Sequence, residues 1–298
     1  MDTLDEIDWD RLLKRIKDKR CTPVVGAGAS ASFLPVGSQI AREWAEATNY
    51  PLPDVTDLAR VAQYLAVTED PMWPKEQISE RLAKALVSAK TSPDEPHQVL
   101  AALELPIYIT TNYDGLMTQA LRDRGKDVKE GICRWNQEIA DRLPERFTLT
   151  PGYEPTPDAP LVYHLHGHLD LPESLVLTED DYIDFLIRIS RDETLLPVFV
   201  RQAFTGASVL FVGYRIADTN FRVLFRSLVI YMQDSLKRSH FSVQSSPKDD
   251  DLADEAKQRA KEYLVRYFDL QRISIFWGYS QDFSKELGKR WKASGNGG

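Results

Sequence analysis

Leu4, Ile7, Leu12, Leu13 and Ile16 recur close to helical spacing, so the chain is expected to open on an amphipathic helix over about residues 4–19. TPVVGAG follows as a short apolar run ending in glycine, the pattern of a buried strand. The text then turns helical over 38–48, 56–67, 75–90 and 95–104, with proline clusters at 51–53, 71–74 and 92–96 between the segments. PIYITT restores a strand, and DGLMTQALRDR begins a helix with Asp114 in its first turn, where a carboxylate suits the helix dipole. Residues 125–160 are irregular and predict a short helix within loop, while LVYHLHG predicts a strand. SLVLTEDDYIDFLIRI reads as a strand and then a helix capped by Thr178.

The last third repeats this rhythm. Helices are expected at TLLPVFVRQAF, ADTNFRVLFRSLVIYMQDSL, EAKQRAKEYLVRYF and SQDFSKELGKRW, and strands at SVLFVGY, HFSVQ and ISIFWGY. SSPKDDDLADE reads as solvated acidic surface, and ASGNGG as a flexible end. Strands separated by helices imply an α/β, Rossmann-like fold, a largely parallel sheet with helices on both faces. The expected organisation is one domain over 1–298, with a helical insertion at about 35–105 and an irregular one at about 125–160.

Composition narrows the function classes. A chain of 298 residues that is 43% hydrophobic buries a large core, and its net charge of −8 disfavours direct nucleic-acid binding. No run approaches the roughly 18 apolar residues of a membrane span. MDTLDEIDWD is acidic where a secretory signal is basic and then apolar, so the expected location is cytoplasmic, with no membrane partner. Two cysteines, Cys21 and Cys133, are too few for a four-cysteine zinc site.

Four strand ends carry the candidate chemistry. GAGAS follows a strand, where glycines let backbone amides approach a pyrophosphate; a purely structural tight turn is the alternative, and Ala31 breaks the full G-x-G-x-x-G spacing. In TTNYD, Asn112 and Asp114 alternate along an extended segment and share one side, unless they serve only as turn and helix cap. HLHGH sets His164, His166 and His168 at alternate positions, on one face if the strand is regular. That invites a His-x-His metal site, but no carboxylate or cysteine partner is marked and Gly167 falls between the second and third, so no metal is expected. His166, beside glycine at a strand end, is the acid/base candidate. In VGYRIAD, Gly213 permits close ligand approach and Tyr214 or Arg215 is placed to touch ribose or phosphate, with Asp218 as helix cap.

In this order, and with a helical stretch between the first two, VVGAGAS, TTNYD, HLHG and FVGY resemble the Sir2 superfamily, more closely its SIR2-like branch than the protein deacylases. The resemblance covers about residues 10–290 and implies a Sir2-like fold with NAD+ as substrate. It would set Gly26, Ala27, Gly28 and Ser30 along the pyrophosphate and ribose, with Thr111 among the binding residues. Asn112 would orient the attacking water or the nicotinamide ribose, Asp114 would contact the carboxamide, and His166 would be the general base. Gly213 and Tyr214 would lie at the adenosine side, with FWGYS (276–280) flanking the adenine; Arg215 departs from the GYS-like string of relatives.

The chemistry so implied is cleavage of the nicotinamide–ribose bond. Deacylases direct an acyl-lysine oxygen at the ribose and typically carry a zinc ribbon of four cysteines after the HG histidine; here no cysteine follows Cys133. Water is then the simpler nucleophile, and the chain resembles the NAD hydrolases of bacterial antiviral defence, which release nicotinamide and ADP-ribose. Two alternatives stay open: a zinc-free NAD-dependent protein deacylase or ADP-ribosyltransferase, and a non-catalytic module that binds NAD or ADP-ribose. Control of so toxic an activity is expected from a homo-oligomer, or from a separately encoded sensor or ATPase partner, with the helices of 35–105 as assembly surface.

Overall fold

The computed structural model describes residues 4–88, 92–192, 194–214, 239–244, 254–270 and 272–296. Among the described residues, seven parallel strands form one sheet in the order β3-β4-β2-β1-β5-β6-β7. They are β1 (Cys21–Val25), β2 (Ile107–Thr110), β3 (Lys129–Ile132), β4 (Leu161–His164), β5 (Ser208–Val212), β6 (His240–Gln244) and β7 (Ile273–Trp277). The inner strands are buried along their whole length, which is why they read as apolar runs rather than as alternating patterns.

Successive residues of these strands enter opposite cores. Val24, Ile109, Tyr163 and Phe211 pack with α7 (Gln137–Arg142), α8 (Glu179–Arg191), α9 (Val198–Gly206) and α10 (Asp254–Asp269). Val25, Tyr108, Val162 and Val212 pack with α1 (Glu6–Lys17), α5 (Pro96–Ala101), α6 (Leu116–Arg122) and α11 (Ser280–Trp291). A third core joins α2 (Gly37–Ala47), α3 (Leu58–Thr68) and α4 (Trp73–Ser88) around Ile40, Trp44, Val61 and Leu65. Helix α5 belongs to the sheet's core, not to this third cluster.

Several elements differ from the sequence expectation. Trp9, Leu12 and Ile16 form the buried face of α1, while Ile7 is 59% exposed. The strand β3 lies inside the stretch read as irregular; it is a short edge strand whose Glu130 points inward and whose Gly131 leaves room for the Tyr163 ring, so its text carries little apolar signal. SLVL forms no strand: Leu175 and Leu177 leave the sheet and enter the third core. Beyond α11 the chain winds on from Lys292 and kinks at Gly295, which takes φ +78°. The helix expected at ADTNFRVLFRSLVIYMQDSL, Arg215, Asp218 and most of SSPKDDDLADE lie outside the described residues.

The strand order has a consequence for ligands. From β1 the chain builds outward through β2 to one edge, then returns to β5 on the other side of β1. The strand order therefore reverses between β1 and β5, and their carboxyl ends mark the switch point of the sheet, the usual ligand position in such folds.

Candidate active site

Backbone of the turn after β1 lies directly on backbone of the turn after β5. Gly26 N–H donates to Val212 O at 2.8 Å and Gly28 N–H to Gly213 O at 2.9 Å. A Cβ on Gly26 or Gly28 would stand 2.9 Å from Gly213 O, and one on Gly213, at φ +85°, would stand 2.4 Å from Ala29 N. The glycines are thus required by close contact between turns. Ala29 and Ser30 amides also donate within the turn, to Gly26 O and Ala27 O. Ala27, exposed at the first position of this turn, is the residue whose amide no carbonyl of the described fold takes up.

Tyr214 crosses the same floor. Its hydroxyl donates to Val25 O at 3.1 Å and shares a 2.9 Å hydrogen bond with Thr111 Oγ1, joining the ends of β1 and β2. Burial pushes this phenol well above its ordinary value, so it remains a donor.

Beyond β2, Asn112 is held by two hydrogen bonds. Its N–H donates to Thr110 Oγ1 at 2.9 Å, and its Nδ2 to Ser30 Oγ at 3.4 Å. The side chain is 7% exposed, and Oδ1 has no partner among the described residues. A buried amide oxygen left unpaired costs on the order of 1–3 kcal/mol, which a ligand or water supplying a donor would recover. Asp114 lies ahead of α6 and not in its first turn, because the N-cap is Gly115; its Oδ1 accepts the Leu116 amide at 3.1 Å. Burial raises its pKa, with His97 and then His164 among the groups pulling it back.

The three alternate histidines do not share one face, because β4 ends at His164. Gly167 then takes φ +91°, where a Cβ would stand 2.3 Å from Ser174 O, and the chain reverses. His164 and His168 meet edge to face at 4.9 Å, while His166 turns away to the rings of Tyr182 (5.4 Å) and Phe185 (5.1 Å). Burial drives the His166 pKa down to about 3, so its ring is neutral, and its Nε2 is unpartnered among the described residues.

His164 faces a carboxylate that its sequence neighbourhood does not show. Glu130 Oε1 lies 3.6 Å from His164 Nε2 and accepts Thr118 Oγ1–H at 3.0 Å, and Arg122 donates to Oε2 at 3.0 Å. Burial raises the Glu130 pKa, but His164, Thr118 and Arg122 outweigh it and hold the group at about 2. Glu130, His164 and His168 bring their ligand atoms within 4.8 Å of one another. The donor set nonetheless suits a metal poorly. The Asp170 amide donates to His168 Nδ1 at 3.2 Å and the Arg146 guanidinium faces the same nitrogen at 3.2 Å, which leaves the proton on Nε2, where a metal needs a lone pair.

A cleft of about 720 Å³ lies between the carboxyl edge of the sheet and the α2–α4 cluster. Ala27, Gly28, Ser30, Thr111, Asn112, Asp114, His166, Gly213 and Tyr214 all line it, and Gly26 lies beneath, under Tyr214. Gly278, Tyr279 and Ser280 close one side. Val36, Gly37 and Ser38 at the start of α2, and Asp54 and Asp57 before α3, also face the cleft; nothing in their local sequence marks them beyond turn and cap chemistry.

Fold and cleft together define a doubly wound α/β domain with an open cleft at the switch point of its sheet. A family model described as SIR2-like domain matches residues 106–268. The chain belongs to that SIR2-like family.

Among curated relatives, NAD(+) hydrolase ThsA of Acinetobacter baumannii is 26% identical over 235 residues, 78% of this chain and 44% of that protein. The protein of the same name from Bacillus cereus is 25% identical over 280 residues, 92% of this chain and 54% of that one. Defense-associated sirtuin 2 of Bacillus subtilis is 24% identical over 148 residues, 49% of this chain and 13% of that protein. The chain spans about half the length of the NAD hydrolases it matches. A solved structure of a Sir2 enzyme covers 97% of this chain and 99% of its own at 11% identity, with a TM-score of 0.41, too low to weigh.

Proposed function

We propose that this chain hydrolyses NAD+ at the nicotinamide–ribose bond, giving nicotinamide and ADP-ribose, and that it is the NAD-depleting effector of a bacterial antiviral defence system. The observation that carries the reading is the pair Asn112 and His166: on one cleft of a SIR2-like domain, each buries a polar atom that the described fold leaves unpartnered. The names of the NAD hydrolase and defence-associated relatives support it.

In the proposed reaction, departure of neutral nicotinamide leaves positive charge on the ribose, and Asn112 Oδ1 orients a water, or a ribose hydroxyl, beside the exposed carbon. As the water's oxygen bonds to that carbon its protons become strongly acidic, so a weakly basic neutral imidazole is enough to take one. His166 is in that form. Asp114, next along the cleft, would contact the carboxamide, and Ser30 holds the Asn112 amide from the other side.

The test is to incubate purified protein with NAD+, alone and at concentrations that favour self-assembly, and to resolve the products with and without an acyl-lysine peptide. Nicotinamide and ADP-ribose, lost by at least about a hundredfold in Asn112→Ala and His166→Ala, is the expected result. Turnover only when the acyl peptide is present would replace hydrolase with deacylase, and tight NAD+ binding without product would leave a binding module.

A further inference from the structure

The first three residues of α8, Glu179, Asp180 and Asp181, each reach a different residue of the α2–α4 cluster. Arg60 Nε donates to Glu179 Oε1 at 3.1 Å, and Gln63 exchanges two hydrogen bonds with Asp180, at 2.9 and 3.0 Å. These two contacts are exposed, and such pairs contribute little. The third differs. Lys75 Nζ lies 2.8 Å from Asp181 Oδ1 with side chains only 9% and 14% exposed, so neither charge is replaceable by water.

This pair is wired to the bed of His166 from two directions. Asp181 Oδ2 accepts the amides of Leu177 and Thr178 at 3.1 and 2.9 Å, which fixes the entry to α8 and the capping box with Thr178. Tyr182 is the next residue and Phe185 lies one turn on; these are the rings against which His166 stands. On its other side, the Lys75 ammonium lies 5.4 Å from the centre of the Trp135 ring. Trp135 Nε1 donates to Ser174 O at 2.8 Å, and Ser174 Oγ accepts the His168 amide at 2.9 Å, closing the turn around Gly167 that sets the direction of His166.

We infer that Lys75, on the helical cluster, is a positioning residue for His166: by pairing with Asp181 it fixes the first turn of α8 and thereby the rings that orient the imidazole. The helical wall of the cleft and the proposed base are then mechanically coupled, and a displacement of α4 reaches His166 through one buried ion pair.

Two measurements on folded protein test this. In 13C/15N spectra of the histidine rings, Lys75→Met is expected to shift the His166 signals, while Lys75→Arg and Gln63→Ala leave them near wild type. This arm does not depend on turnover. The kinetic arm rests on the NAD+ hydrolase reading: Lys75→Met is expected to lower kcat about tenfold with KM changed less than about threefold, and Lys75→Arg to restore it. Should Lys75→Met fail to fold, Asp181→Asn, which keeps an oxygen for the two amides and removes the charge, is expected to give the same His166 shift. Lower thermal stability with unmoved His166 signals, in either variant, would overturn the inference. An absence of NAD+ turnover in wild type would count against the hydrolase reading alone.

Discussion

Lowering the pH from 6 to 5 is expected to weaken the fold through His166, and the size of the effect follows from its burial. Burial drives the native ring down to about 3 from an ordinary value of 6.5, so between these limits the unfolded chain holds a proton that the native chain does not. Stability therefore rises with pH across this window and is lost as pH falls through it, at about 1.36 kcal/mol per pH unit where the difference is fully developed. Between pH 6 and 5 the unfolded imidazole is mostly protonated, so His166 accounts for about 1 kcal/mol of loss. His168, driven to about 3 chiefly by burial, adds in the same direction.

Other groups act elsewhere or equally in both proteins compared. The Glu130 carboxyl, held at about 2, stabilises the fold above 4.5 and loses that contribution as pH falls below it. Asp114, raised by burial, works the opposite way, with stability lost as pH rises above its ordinary range. His166→Leu removes the imidazole titration and keeps these. Urea melts of both proteins at half-unit pH steps give the comparison. The variant's unfolding free energy is expected to fall by about 1 kcal/mol less than wild type's between pH 6 and 5. Equal slopes would refute the reasoning, because they would mean that His166 titrates alike in the folded and unfolded chains.

Further predictions concern the glycine contact, the reaction and the thiols. Gly213→Ala places a Cβ 2.4 Å from Ala29 N at φ +85°, so the turns must part; urea melts are expected to show a loss of at least about 2 kcal/mol and calorimetry a weaker NAD+ affinity. With His166 neutral down to about 3, kcat/KM for NAD+ is expected to show no acid limb near 6.5, and a pH profile from 8 to 5 with such a limb would contradict it. Cys21 and Cys133 are buried, with thiols pushed up to about 12, so a disulfide reagent is expected to label neither until denaturant is added.

Much of the architecture is written locally. Strands covered on both faces must be apolar throughout, so β1, β2, β4 and β5 stand out as runs. Parallel strands put all their carboxyl ends on one edge, which is why strand-end position alone sent Asn112, His166 and Gly213 to a common cleft. What escaped depends on tertiary context. Glu130 looks like an ordinary surface acid, and only the pairing of β3 with β4 brings it to His164. Leu175 and Leu177 form an apolar run that satisfies a helical core as well as it would a sheet. The divergence of His166 from its two neighbours requires knowing that β4 stops at His164 and that Gly167 adopts a left-handed conformation. The glycines of GAGAS announce close approach but not of what; their nearest neighbour is Gly213 backbone.

The central claim is that Asn112 and His166 form the site of water-driven NAD+ cleavage. A 1H NMR time course of NAD+ with the wild-type chain and with Asn112→Ala, both verified as folded, tests it most directly. The account predicts equimolar growth of nicotinamide and ADP-ribose with the wild type, no ADP-ribose retained on protein, and at least about a hundredfold slower release with the variant. Equal rates in the two proteins, or nicotinamide released without free ADP-ribose, would contradict it.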